Sequence, residues 1–287
     1  MAAEPNQAPR AGGPGVRTRV SPGRGGVGAR AGIADVRSVW PPSPGGTGPL
    51  SDEDLERVYG YPEDLTDLAG PFVQVNFVAS ADGAVAVDEL SKGLSHPADR
   101  RVFLLARDLA DVILVGGGTA RAENYRGART NAVRSARRAR LGLAPAPPIA
   151  VVTRTGSLDP AGPLFTDTRV PPLVVTTSRA DTAAVREAGA DVLVAGDEDV
   201  DLPRALAMLA ERGLRRVDCE GGPGLFAAMI AADLVDQLCL TVAPLLVGGD
   251  ASRIAAGPAA RPPRRMELAS ILVDDGFTLL RYRRGRG

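Results

Sequence analysis

The chain has few of the residues that most often bind metals or carry redox chemistry. Its 287 residues include one histidine, His96, and two cysteines, Cys219 and Cys239. Both cysteines lie in aliphatic runs, where a small buried thiol fits better than a disulfide or a metal ligand. We therefore predict no metal site. The composition also argues against a zinc deaminase, and a serine hydrolase triad would have to rely on His96.

Features typical of membrane proteins and nucleic-acid-binding proteins are also missing. No run approaches the roughly 18 apolar residues that a membrane-spanning helix requires, and the N-terminus has no compact apolar segment of the secretory kind. The formal net charge is zero, which indicates no broad basic surface for nucleic acid. We expect a cytoplasmic globular protein whose partners include neither a membrane nor nucleic acid.

The composition divides the chain into two parts. Residues 1–49 are rich in glycine, proline and arginine, and such a segment buries too little apolar surface to offset its chain entropy. We predict a disordered tail over residues 1–49 and one folded domain over residues 50–287. The domain begins near Ser51, where the sequence SDED places a hydroxyl three residues before an acid, as in a helix capping box.

Strand-like and helix-like segments alternate through the domain. Residues 72–80 and 112–115 read as strands, and a helix between them begins near Pro97. Further strands are predicted at 149–153, 172–177, 190–196 and 215–219, with helices at 181–189, 201–213 and 224–234. The continuous apolar strands indicate an α/β fold, with a mostly parallel sheet covered by helices on both faces. The final segments, 235–249 and 277–284, predict an antiparallel strand pair.

Three polar or glycine-rich loops directly follow predicted strands. They are SADG at 80–83, GGGTARAE at 116–123 and EGGPGLFAA at 220–228. In an open α/β sheet ligands bind beyond the carboxyl ends of the strands, so these loops should share one edge. Glycine lets backbone amides approach an anion, and a helix start adds partial positive charge. Neither glycine loop matches the dinucleotide or P-loop fingerprint, and tight turns without a ligand remain the alternative.

Three single residues have two interpretations each, and a fourth, Glu220, has one. His96 precedes Pro97 and reads more readily as a helix-start residue than as a catalytic one. Asp82 either shapes its turn or carries a proton, and Arg107 is either a solvated charge or an anion ligand. Glu220 ends an aliphatic strand before glycines, which predicts a carboxylate that points into the cleft.

The segments ASADGAVAV, ARDLADVILVGGGTARAE and VDCEGGPGLFAAMIAADLVDQLCLTVAPLLVGG, in this order and spacing, resemble the reductase domain of riboflavin biosynthesis. The resemblance covers roughly residues 70 to 283, and LERVYGYPEDL resembles the lead-in of a stand-alone pyrimidine reductase branch. It implies a dihydrofolate-reductase-like fold. It also implies an enzyme that uses NADPH to reduce 5-amino-6-(5-phosphoribosylamino)uracil to the ribitylamino product, and a homodimer, which the long C-terminal strands with exposed edges would favour.

The resemblance also implies roles for individual residues. Substrate-binding positions are Asn76, Ser91, Arg107 and Glu220. Cofactor-binding positions are Val78, Ala79, Gly117, Thr119, Glu123, Arg154, Gly221, Gly222, Pro223, Gly224, Leu225 and Phe226. A guanidinium at Arg154 could pair with the 2′-phosphate of NADPH. Asp82 is the candidate proton donor.

Two departures from the family pattern fall in the substrate half of the cleft. Two-domain relatives commonly have a lysine at the position of Asn76 and a tryptophan near the position of Gly93. Two alternatives therefore stay open. One is a reductase of the same fold that acts on another pyrimidine or a pteridine such as dihydrofolate. The other is a regulatory protein that binds NADPH without turnover.

Overall fold

Ten strands form one mixed sheet in the computed structural model, which describes residues 34–42, 46, 48–65, 68, 70–88, 90–257 and 262–285. The strands are β1 (Arg37–Trp40), β2 (Phe72–Ser80), β3 (Val112–Gly116), β4 (Ile149–Val152), β5 (Leu173–Thr176), β6 (Asp191–Val194), β7 (Arg216–Cys219), β8 (Gln237–Ala243), β9 (Met266–Asp274) and β10 (Phe277–Arg284). The helices are α1 (Asp52–Tyr59), α2 (Pro97–Leu109), α3 (Gly117–Ala122), α4 (Ala132–Arg140), α5 (Pro163–Thr166), α6 (Ala183–Glu187), α7 (Leu202–Glu211) and α8 (Pro223–Ala231), with a 3₁₀ turn at Ser91–Leu94.

The strand order is β1-β9-β10-β8-β2-β7-β3-β4-β5-β6. The seven strands from β8 to β6 run parallel, and β10, β9 and β1 extend the sheet in antiparallel fashion. This arrangement confirms the predicted mixed sheet with an antiparallel C-terminal pair, β8 and β10.

Strands β3 and β4 are apolar because helices cover both faces of the sheet. On β3, Val112 and Leu114 belong to one core cluster with Leu206 and Leu209 of α7. Ile113, between them, belongs to a second cluster that contains residues of α5 and α6. Alternate strand residues therefore enter different layers, as expected for a strand buried on both faces.

Local capping explains where the first two helices begin. The Ser51 hydroxyl accepts from the Asp54 amide at 3.1 Å, and the Asp54 carboxylate accepts from the Ser51 amide at 2.9 Å, which forms the predicted capping box. At α2, Nδ1 of His96 accepts from the Ala98 amide at 3.3 Å. His96 is therefore the helix-start residue that the sequence favours.

Strand β1 corrects the predicted boundary of the tail. It lies within residues 1–49, yet it pairs with β9, with Arg37 opposite Val273. Ordered structure therefore extends before Leu50, and residues 1–33 lie outside the described residues. The same pairing removes an argument for dimerisation, because β9 is covered by β1 and β10 lies between β8 and β9. In the described part of the chain, no helix combines the length and apolar character needed to cross a membrane.

Candidate active site

The two glycine loops contact each other at the carboxyl edge of the sheet. The strands that precede the three predicted loops, β2, β7 and β3, are neighbours and run parallel, so their loops emerge side by side. The Gly116 amide donates to the Gly221 carbonyl at 2.6 Å. A Cβ on Gly222 would meet the Thr119 hydroxyl, and a Cβ on Gly221, whose φ is +77°, would meet the Phe77 ring. Glycine at 221 and 222 is therefore required by the packing between the loops.

Other glycines in these loops lie beside open space. A Cβ added to Gly118 or Gly224 would have no neighbouring heavy atom within 4 Å. Gly224 lies in the first turn of α8, whose N-cap Gly222 offers no side-chain cap. The first amides of α8 are therefore available to an external acceptor. The loops thus both turn the chain and leave an accessible, partially positive edge, which suits an anion.

A cavity of about 670 Å³ opens beside these loops. Of the residues that the sequence predicts for the site, the following line it: Asn76, Val78, Ser91, Arg107, Thr119, Glu123, Glu220, Gly222 and Pro223. They come from β2, the 3₁₀ turn, α2, the loop and helix after β3, and the loop after β7. The fold therefore brings predicted substrate and cofactor positions to one concave surface.

Arg107 and Glu220 form a bidentate ion pair in the cavity wall. Nε of Arg107 donates to Oε1 of Glu220 at 2.6 Å, and Nη2 donates to Oε2 at 2.7 Å. The Tyr125 hydroxyl also donates to Oε2, at 2.5 Å. The Glu220 side chain is 2% exposed and that of Arg107 15%, so the pair is largely removed from water.

The electrostatics of this cluster keep Arg107 cationic and Tyr125 neutral. Burial disfavours the guanidinium, but the Glu220 carboxylate more than offsets this, and the pKa of Arg107 lies above its ordinary value. Burial and the same carboxylate raise the pKa of Tyr125 well above its ordinary value. The Arg107 guanidinium also lies 4.5 Å from the Phe103 ring centre. Arg107 is thus already paired with Glu220. For the predicted contact with a substrate phosphate, its guanidinium would have to bind the phosphate and Glu220 at the same time.

A second polar pair lies nearby. The Asn76 amide nitrogen donates to Oδ1 of Asp218, which is fully buried. Burial, and then the charge of Glu220, raise the pKa of Asp218 well above its ordinary value. The Arg107–Glu220 ion pair therefore has a buried carboxyl group with a raised pKa near it, behind Asn76.

Further contacts join the other walls of the cavity. The Ser91 amide donates to Oε1 of Glu123 at 2.9 Å, which links a predicted substrate position to a predicted cofactor position. A Cβ on Gly93 would meet the Val87 side chain at 2.8 Å, so a larger residue at position 93 would require Val87 to move. On α2, Asp99 lines the cavity and accepts from the Ser95 hydroxyl at 2.8 Å, and burial raises its pKa.

Eight predicted site residues are not in the cavity lining: Ala79, Asp82, Gly117, Arg154, Gly221, Gly224, Leu225 and Phe226. Phe226 is buried, with its ring centre 5.2 Å from that of Phe77, so only its backbone could contact a ligand. Arg154 follows β4 and is 67% exposed, with Nη1 lying 3.5 Å from Oδ1 of Asp199. An exposed ion pair of this kind is weak, so the guanidinium can exchange that partner for a phosphate.

Asp82 has an environment that suits a loop anchor. Its carboxylate accepts from the Val247 amide at 3.1 Å, from the Gly248 amide at 2.7 Å and from the Ser80 hydroxyl. These hydrogen bonds, led by that of Ser80, lower the pKa of Asp82 to about 2. A carboxyl group with such a pKa is ionised near neutral pH, which is the wrong form for a proton donor.

Sequence reasoning missed Tyr125, Asp99 and Asp218. The period of two along β7 places Asp218 on the same sheet face as Glu220, and this signal could have found it. Tyr125 and Asp99 carry no local signal, because their positions relative to the cavity depend on how α2 and the segment after α3 pack.

A mixed sheet whose two glycine loops border one cavity at the carboxyl ends of parallel strands is the architecture of a small-molecule enzyme of the α/β class. Residues 71–279 match the family described as the RibD C-terminal domain, and the chain belongs to this family.

Relatives and solved structures agree with that assignment. The chain is 32% identical over 214 residues to the 2,5-diamino-6-ribosylamino-4(3H)-pyrimidinone 5′-phosphate reductase of Archaeoglobus fulgidus, covering 73% of this chain and 96% of the relative. It is 28% identical over 184 residues to the riboflavin biosynthesis protein RibD of Bacillus amyloliquefaciens, covering 62% of this chain and 47% of the relative. A pyrimidine reductase-like protein from Corynebacterium diphtheriae superposes with a TM-score of 0.71 at 25% identity, covering 81% of this chain and 99% of that one.

Proposed function

We propose that this protein reduces the ribosyl group of 5-amino-6-(5-phosphoribosylamino)uracil with NADPH and yields the ribitylamino product of riboflavin biosynthesis. The observation that carries the proposal is the junction of the two glycine loops beside a polar cavity, in a chain whose relatives are named as pyrimidine reductases. One relative is named as a reductase of a 2,5-diamino pyrimidinone phosphate and another as RibD, so the names do not fix the base of the substrate. That the base is uracil is therefore part of the proposal.

The glycine edge fits a dinucleotide. The open sides of Gly118 and Gly224 and the uncapped start of α8 would accept the diphosphate, and the Thr119 hydroxyl lies beside Gly222. Arg154, at the end of β4, would pair with a 2′-phosphate. A nicotinamide cofactor, when bound, supplies the hydride for the reduction.

The chain's own task is alignment and proton supply. Hydride addition to C1′ accompanies opening of the C1′–O4′ bond, and the ring oxygen takes up one proton. Asp99 is our candidate proton donor, because it lines the cavity and burial raises the pKa of its carboxyl group above the ordinary value. The Arg107–Glu220 pair and Asn76 form polar walls that orient the substrate.

A homodimer is part of the same proposal. It is supported by the resemblance and by Val39 and Trp40 on edge strand β1, which are 56% and 44% exposed. Light scattering on the purified full chain tests it, since a monomer at micromolar concentration would contradict it.

Anaerobic NADPH oxidation tests the activity. The substrate is supplied by a separate deaminase, and the 2-amino pyrimidinone and dihydrofolate are offered in parallel. Turnover with the uracil compound, and a ribityl product by mass spectrometry, support the proposal. Faster turnover of dihydrofolate would favour the alternative reductase, and NADPH binding without oxidation of any substrate would favour a regulatory protein.

A further inference from the structure

Asp218 lies behind the cavity wall and reaches it through one residue, Asn76. Gln74 of β2 pairs with Asp218 of β7 in the sheet register, and Asn76 is the next residue of β2 on that face. The Asn76 amide nitrogen donates to Oδ1 of Asp218. Asp218 is fully buried and absent from the cavity lining, whereas Asn76 lines it. The hydrogen bond to Asn76 is therefore the direct contact between Asp218 and the cavity surface.

The surroundings of Asp218 do not support a negative charge. Within the described residues, Oδ2 of Asp218 is buried without a hydrogen-bond partner. The cation that acts on Asp218, Arg107, already directs Nε and Nη2 at Glu220. A buried carboxylate with a single neutral donor is costly, so the protonated form is favoured. The other titratable groups that influence this site are Glu220, Tyr125, Tyr61, Cys219 and Cys239, and none of them is a cation.

We propose that Asp218 is a positioning residue whose neutral carboxyl group holds the Asn76 amide, so that the amide oxygen faces the cavity. The inference rests on the proposed function. An amide nitrogen turned toward Asp218 leaves the amide oxygen as the acceptor at this point of the wall. The pair then offers an uncharged acceptor to an N–H group of the substrate's base. It is unsuited to an anion such as the substrate phosphate, because it carries no positive charge.

Two substitutions of similar size separate this role from simple core packing. Asp218→Asn keeps an oxygen acceptor without a charge, and Asp218→Leu removes the acceptor. We expect KM for the phosphoribosylamino-uracil within about threefold of wild type in Asp218→Asn, and KM raised about tenfold in Asp218→Leu, as for the loss of one hydrogen bond. The value of kcat should change less than KM, because the hydrogen bond orients the base and does not touch C1′.

A double-mutant cycle tests whether Asp218 acts through Asn76. In the Asn76→Ala background, Asp218→Leu should leave KM unchanged. A further rise in KM there would overturn the proposal. So would an Asp218→Asn protein that is folded by circular dichroism yet as impaired as Asp218→Leu.

Infrared spectroscopy tests the protonation state without any turnover. The difference spectrum of wild type minus Asp218→Asn at neutral pH should show the carbonyl band of one protonated carboxyl group, and its absence would overturn the proposal. This readout stands even if Asp218→Leu fails to fold. If wild type oxidises no NADPH while the band is present, the proposed function fails and the assignment of a neutral Asp218 does not.

Discussion

Arg107 and Glu220 lie 113 positions apart in the chain, and two hydrogen bonds of 2.6 and 2.7 Å join them in the cavity wall. The pair is more than a surface salt bridge because Glu220 is 2% exposed. Removing one partner leaves a buried charge that water cannot reach, which is costly in free energy.

Arg107→Met should therefore destabilise the protein. We expect the free energy of unfolding to fall by about 3 kcal/mol, measured by urea denaturation, because the Glu220 carboxylate loses its cation. Arg179→Met is the matched control, since Arg179 is 63% exposed in its ion pairs, and it should cause no measurable change. The double variant Arg107→Met/Glu220→Leu should recover part of the loss. An Arg107→Met protein as stable as wild type would contradict this account.

Replacing the two candidate proton donors, Asp99 and Asp82, with asparagine should have different effects on turnover. Asp99→Asn should lower kcat by about 100-fold, because the variant cannot donate a proton to the ring oxygen. Asp82→Asn should keep wild-type turnover, because the pKa of Asp82 is about 2 and its carboxylate anchors a loop. A donor must be protonated, so wild-type kcat should fall as pH rises through the pKa of Asp99. If Asp82→Asn alone abolishes turnover, the assignment is reversed.

Gly224→Ala separates cofactor binding from folding. The added Cβ has open space around it, and alanine favours a helix, so stability should be equal to wild type or higher by about 0.5 kcal/mol. Affinity for NADPH should nevertheless fall, because the methyl group occupies the side on which a diphosphate would approach. Tryptophan or NADPH fluorescence titration measures this. Unchanged affinity would mean that the open edge holds no cofactor.

Gly222→Ala should fail for a different reason. Its Cβ would collide with the Thr119 hydroxyl, so the loops should separate and the protein should lose stability. Adding Thr119→Ala removes the colliding atom and should restore part of the stability. Thermal denaturation of the two proteins gives the comparison, and equal melting temperatures would contradict the described packing.

Asp218 should make stability depend on pH in an unusual direction. Its pKa is raised above the ordinary 3.8 in the folded protein, so the folded state holds a proton that the unfolded state releases. Stability due to this group is therefore complete below pH 3.8 and declines as pH rises toward the folded-state pKa. The free energy of unfolding of Asp218→Asn minus that of wild type should therefore be more positive at about pH 8 than at about pH 5. A difference in unfolding free energy that is equal at both values would contradict the neutral carboxyl group.

Some elements escaped sequence reasoning for identifiable physical reasons. Helix α4 is rich in arginine and has no apolar stripe that a sequence pattern could reveal. Ion pairs hold it in place instead, since Nε of Arg134 and Nη1 of Arg137 donate to the Asp108 carboxylate at 2.6 and 2.7 Å. Arg138 is buried and donates to the carbonyls of Arg107, Asp108 and Ala110 near the end of α2. Strand β1 is four residues long in a segment rich in glycine and proline, and it forms because β9 offers an unpaired edge.

The seven parallel strands, the helices α2, α6, α7 and α8, and the three loops beyond β2, β3 and β7 are predicted by the sequence alone, because hydrophobic period, capping and turn chemistry act over a few residues. Strand β9, like β1 and α4, escaped sequence reasoning. The sequence likewise determined the resemblance to the reductases. Only the tertiary structure decided which side chains meet: Asn76 with Asp218, Tyr125 with Glu220, and the Asp82 carboxylate with the amides of a distant loop. Such contacts join residues far apart in the chain. Their geometry depends on which strands pair and on how helices pack on the sheet, which no local pattern encodes.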